Sequence, residues 1–135
     1  MELDGAFDPV AWSATLLGAF AVAVAIGALR QPGTWSKMVL EIEESPALQL
    51  LCGFAELFVG AAIYLINPWD SSDLLAMVMK ALGGLMMAEA LVVMAISDLY
   101  FQAWLKNLAA MKRGWPVVTL LVGALLAGAG MLRFV

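Results

Sequence analysis

The sequence predicts an all-α polytopic membrane protein, with four transmembrane helices in two parallel-topology repeats and two amphipathic interfacial helices. Three observations predict it. Of 135 residues, 64% are hydrophobic and only 13% charged, whereas a soluble domain is about half apolar and about a quarter charged. Apolar residues collect in four runs, near 12–29, 47–66, 74–96 and 117–132, each close to the ~20 residues that cross the hydrocarbon. Two of the connections between the runs show helical rather than loop-like patterning. The chain reads as one integral membrane domain over 1–135, with a first repeat at about 9–66 and a second at about 74–133.

The runs must be helices, because a lone strand in lipid leaves its backbone N–H and C=O groups without partners. Their starts are written in the chain. Asp8-Pro9 and Ser45-Pro46 each join an N-cap residue to proline at the first helical position, where the missing N–H costs nothing. Asn67-Pro68-Trp69-Asp70 breaks the chain after the second run, and Ser71 or Ser72 is placed to cap the third. Gly114-Trp115-Pro116 opens the fourth. The first eight residues carry Glu2, Asp4 and Asp8 and no basic residue, the reverse of a signal peptide.

Charge placement predicts orientation. Arg30, Lys37, Lys106, Lys112 and Arg113 lie in the connections 30–46 and 97–116. The opposite side has Arg133 with Glu2, Asp4, Asp8, Asp70 and Asp73. The positive-inside rule then places both connections in the cytoplasm and both termini in the periplasm of a bacterial inner membrane. Tryptophans mark the interfaces: Trp12 and Trp69 outside, Trp35, Trp104 and Trp115 inside.

Within the inner connections, Trp35, Met38, Val39 and Ile42 recur at helical spacing, as do Phe101, Trp104, Leu105, Leu108 and Met111. Both segments read as helices lying in the interface. As connectors they need no partner; alternatively they dock one. The repeat comes from PALQLLCGFAELFVG set against PVVTLLVGALLAGAG, where Pro46, Leu50, Leu51, Gly53 and Gly60 meet Pro116, Leu120, Leu121, Gly123 and Gly130 at an offset of 70. Trp35-Ser36-Lys37 meets Trp104-Leu105-Lys106 at an offset of 69. Two spans per unit give parallel halves about an axis along the membrane normal.

Charges inside the runs are the candidate functional residues. At 100° per residue, Gln49, Gly53, Glu56 and Gly60 share one stripe. Small residues there let helices approach closely, so Glu56 faces protein. The second-half stripe is Thr119, Gly123, Leu126 and Gly130, with leucine in place of the carboxylate. Lys80 shares a stripe with Gly83, Gly84 and Met87. It lies about 6 Å along the normal from Glu56, taking 1.5 Å per residue, and an interhelical Glu56–Lys80 ion pair is expected. Such a pair serves function or simply locks helix register. Glu89 lies on the far side of that helix, among Leu82, Leu85, Met86 and Val93, a face that reads as lipid-exposed. A carboxylate there needs a partner or a proton. Contact with another subunit is the first expectation and proton transfer the second.

The chain has no histidine and one cysteine, Cys52. It thus lacks the commonest general base, the commonest metal ligand and any thiol pair. No phosphate loop, metal cluster or nucleophile–base pair appears, so no catalytic residue, metal or cofactor is expected, and no enzyme. Glu41, Glu43 and Glu44 dilute the basic side, so nucleic acid is not expected as a partner. The expected partners are membrane lipids and either a second copy or other membrane subunits.

The segment EIEESPALQLLCGFAELFVGAAIYLINPW resembles the Ser-Pro-Ala-Leu…Gly…Gly…Trp pattern of small uncharacterised bacterial inner-membrane proteins, across about residues 15–95. That family brings no activity with it. The Gly53–Glu56 element is also similar to one in the second helix of DoxX-like four-helix membrane proteins, a resemblance that implies a redox-linked accessory role. Three functions follow as expectations. The first is a non-catalytic accessory subunit of a larger complex. The second is a small oligomeric transporter or ion pathway using Glu56, Lys80 and Glu89. The third is the redox accessory.

Overall fold

The computed structural model describes residues 8–111 and 114–134. It is all-α, in the order α1 (Pro9–Arg30), α2 (Thr34–Glu43), α3 (Pro46–Ile66), α4 (Leu74–Ala95), α5 (Ser97–Met111) and α6 (Gly114–Leu132). Four of these, α1, α3, α4 and α6, are long and apolar enough to cross a membrane, so the expected fold class holds. Glu2, Asp4, Lys112 and Arg113 lie outside the described residues, as do the side chains of Leu108 and Met111.

Local chemistry sets the helix ends. The Asp8 carboxylate accepts from the N–H groups of Val10 at 3.1 Å and Ala11 at 3.3 Å, and Ser45 Oγ accepts from Leu48 N. At α4 the cap is Asp73, which accepts from Ala76 N at 3.2 Å, and not Ser71 or Ser72; Ser72 instead closes a turn on Asp70. The chain enters α2 through Gly33 at φ 90°, a left-handed conformation that glycine adopts without strain.

The spanning helices form two antiparallel pairs, α1 with α6 and α3 with α4, bridged at one end by α2 packed on α5. Glycines decide both crossings. A Cβ built on Gly60 would lie 2.9 Å from Gly83 O, and one on Gly53 would lie 3.4 Å from Ala90 O. In the other pair, a Cβ on Gly130 would lie 2.8 Å from Ala11 O, and one on Gly123 2.8 Å from Gly18 O. Backbones therefore touch where no side chain intervenes, the usual way membrane helices gain packing without a hydrophobic driving force.

Between the pairs lies a core of Ala14, Ile63 and Met79, supported by Leu17, Leu75, Leu82, Met86 and Leu126. It occupies the half of the bundle nearer the two termini. Two polar clusters close that terminal end. Asn67 is wholly buried; its amide donates to Ile63 O at 2.8 Å and Ser13 Oγ at 3.1 Å, tying the end of α3 to α1. Arg133 reaches Asp8 at 3.0 Å and Asp73 at 2.8 Å, clasping the N-caps of α1 and α4 to the end of α6. Burial pulls the Asp8 carboxyl upward, but the guanidinium and the N–H groups of Ala11 and Val10 outweigh it and hold the group below its ordinary 3.8.

Large apolar side chains, including Leu16, Phe20, Phe54, Phe58, Leu65 and Leu125, point outward, as helices in lipid require. The packed face of α2 is narrower than its pattern predicts: Trp35, Val39 and Ile42 are half-buried, while Met38 is exposed.

Candidate functional site

The α3–α4 crossing positions Glu56, Lys80 and Glu89. Gly53 and Gly60 turn the Gln49–Gly60 stripe onto α4, and Gly83 sits against the backbone of Gly60 and Tyr64. Gly84 lies beside the Tyr64 ring. Gln49, at the α2–α5 end of the stripe, accepts from Ser97 Oγ at 2.7 Å and donates to Glu43 O at 2.9 Å. It pins the joint between α4 and α5 to the joint between α2 and α3.

The Glu56–Lys80 ion pair is not formed. With Gly60 opposite Gly83 and Gly53 opposite Ala90, Lys80 stands opposite Ile63, about 10 Å along the helix from Glu56. Its ammonium donates instead to Tyr64 O at 2.8 Å and Asn67 O at 3.3 Å, 3.7 Å above the centre of the Tyr64 ring. These carbonyls close the C-terminal end of α3, where four C=O groups lack helical partners and the helix dipole is negative. Lys80 is a helix cap rather than a counter-ion.

Glu56 meets Glu89 instead. The two carboxyl groups are neighbours across the crossing. Glu89 also accepts a hydrogen bond from the Tyr100 hydroxyl. Much of the face assigned to lipid is a protein face: Val93 is buried and Leu82 and Met86 pack on the core, while Leu85 is exposed. So Glu89 has partners within the chain. Tyr100 escaped the sequence reading, although it follows the end of α4 by one helical turn. There α5 starts at Ser97 without a loop, so its first turn folds back toward the carboxyls.

Glu56, Glu89 and Tyr100 are each half-buried. Burial first, and then the hydrogen bond to Glu89, push the Tyr100 hydroxyl above its ordinary value of 10.0. It therefore stays a donor at neutral pH. Ionised carboxylates only accept, so a proton held by one of them turns the Glu56–Glu89 contact into a hydrogen bond. The set Glu56–Glu89–Tyr100 runs from mid-span toward the α2–α5 end. On its other side stands the apolar core of Ala14, Ile63 and Met79.

Tyr100 also opens onto a groove of ≈ 280 Å³ between α1, α2 and α5, walled by Trp35, Phe101 and Trp104 with Val24 and Val39. Trp104 stacks obliquely on Trp115, ring centres 5.3 Å apart, which joins α5 to the start of α6. Cys52 is exposed on α3. No family model, curated protein or solved structure matches the chain.

Proposed function

We propose that the chain is a non-catalytic membrane subunit that holds and releases a proton on the Glu56–Glu89 pair, in contact with its basic-loop side. The observation that carries the proposal is the linked set Glu56–Glu89–Tyr100. Two carboxylates this close in a low-dielectric setting repel too strongly for both to be ionised, so they share a proton. Tyr100 links the pair to the interface, and the apolar core blocks it from the other side. One chain therefore supplies half a pathway, and a second copy or another membrane subunit completes it. That requirement, rather than an unpartnered Glu89, supports the accessory role.

The positive-inside pattern supports a bacterial inner membrane, with α2 and α5 cytoplasmic and both termini periplasmic. Duplication is supported by the crossings. Gly60 and Gly53 approach the carbonyls of Gly83 and Ala90 as Gly130 and Gly123 approach those of Ala11 and Gly18. Laid over each other on these glycines, the pairs put Leu126 and Leu17 at the places of Glu56 and Glu89. One half keeps a leucine pair and the other carries the carboxyls.

Infrared titration in lipid tests the proposal. The wild-type protein is expected to show a protonated-carboxyl band at neutral pH, from the proton that two adjacent carboxyls share. Glu56→Gln and Glu89→Gln are each expected to remove it. A band unchanged in both variants, or none in the wild type, overturns the proposal.

A further inference from the structure

We infer that the groove between α1, α2 and α5 binds a quaternary ammonium ion, with Trp35, Tyr100, Phe101 and Trp104 as its walls and Glu89, acting through Tyr100, as its counter-ion. The inference rests on the proton-holding pair proposed above and names the second ion that the pair serves.

Four of the groove's walls are aromatic, and the lining carries no charged side chain. An aromatic face attracts a cation through its quadrupole, and several faces around one cavity are the usual recognition of ammonium groups too substituted to donate hydrogen bonds. A plain aliphatic groove would have no such preference. The charge complement lies directly behind the wall. Tyr100 lines the groove and donates its hydroxyl to Glu89, which shifts electron density onto its ring. The volume of ≈ 280 Å³ suits an ammonium head with one ring or short chain, at the lower end of small-molecule sites. The groove lies on the interfacial helices, where an amphipathic cation arriving through the headgroups would meet it.

Protonation and cation binding then compete. With one proton shared by the pair, its remaining negative charge stands behind Tyr100 and the cation is held; with a second proton, that charge is gone and the cation leaves. Glu56 from α3 and Tyr100 from α5 are the titratable groups on Glu89, and the described spanning part of α1 has no ionisable side chain before Arg30. Lys37, Glu41, Asp98 and Lys106 are exposed on α2 and α5 and are screened by solvent. Lys80 is held at the far end of α3.

The test is calorimetric titration of the full chain in nanodiscs with benzyltrimethylammonium and with its neutral isostere neopentylbenzene, against empty nanodiscs. The cation is expected to bind more tightly as pH rises, and the isostere weakly at any pH. Trp104→Leu should weaken the cation roughly three- to thirty-fold, the range of one desolvated cation–π contact, with Trp104→Phe recovering most of it. Glu89→Gln should weaken it and remove its pH dependence. Equal binding of the isostere, or cation affinity unchanged in both Trp104→Leu and Glu89→Gln, overturns the inference. Circular dichroism of each variant identifies one that fails to fold, and Trp35→Leu, expected to weaken the cation likewise, then carries the aromatic arm. The infrared titration reads the shared proton independently, so loss of that band with cation preference intact counts against the proton reading alone.

Discussion

A carboxyl in a membrane span is costly unless something satisfies it, and Glu56 and Glu89 satisfy each other, with Tyr100 as third partner. Removing one member of such a set hurts more than removing both. Glu89→Leu strands the Tyr100 hydroxyl and the Glu56 carboxyl, and is expected to cost about 1–3 kcal/mol. Glu56→Leu with Glu89→Leu reproduces the Leu126 and Leu17 arrangement of the other pair, and should recover part of that loss. Reversible unfolding in mixed micelles supplies the double-mutant cycle; strictly additive losses would mean that the carboxyls do not interact. Lys80→Met is expected to add independently to Glu56→Gln, since the ammonium sits on the carbonyls of Tyr64 and Asn67. At the terminal end, the Asp8 carboxyl is held below 3.8 in the folded state. Its contribution is therefore present at neutral pH and lost as pH falls through that lowered value. Arg133→Leu should reduce this acid sensitivity, at a cost below about 1 kcal/mol for a partly exposed pair; an unchanged acid-unfolding profile would count against the clasp.

Helix packing rests on a few glycines, and the two kinds are separable. A Cβ at Gly83 would meet Tyr64 N at 2.6 Å and Gly60 O at 2.7 Å, both backbone atoms that cannot swing aside, whereas nothing stands within 4 Å of one at Gly128. Gly83→Ala is expected to push α3 and α4 apart and cost about 1–3 kcal/mol. Gly128→Ala should be neutral or stabilise by up to about 1 kcal/mol through helix propensity. Equal effects at the two positions would mean that the α3–α4 contact is not close-packed. These elements were readable in advance because each signal is local. Proline after a cap residue starts a helix, an apolar run of span length continues it, and a glycine stripe marks its packed face. Register is not local. Periodicity gives the face that Glu56 and Lys80 use, but not which residue of the neighbouring helix stands opposite. Gly60 against Gly83 settles that, and it leaves Lys80 about 10 Å along the helix from Glu56, roughly two turns away. Glu89 misled for a related reason. Its neighbours are as apolar as lipid-facing residues, and only the return of α5 brings Tyr100 over it.

For the molecule as a whole, function depends on which side the carboxyl set faces. Tyr100 lies at the α2–α5 end; on the orientation proposed from the basic residues that end is cytoplasmic, and on the proposed function the pair would exchange its proton with the cytoplasmic side. The opposite orientation would have the same site sense the outside, with the same contacts and a different task. Gln31 precedes α2 and Ser72 precedes α4, at opposite ends of the bundle, and both are exposed. Because Cys52 is also exposed, Cys52→Ala is the required background. In intact cells a membrane-impermeant maleimide should label Ser72→Cys, and should label Gln31→Cys only after permeabilisation. The reverse pattern would invert the protein and make Glu56–Glu89 a sensor of the outer face, while labelling of both in intact cells would exclude a single orientation.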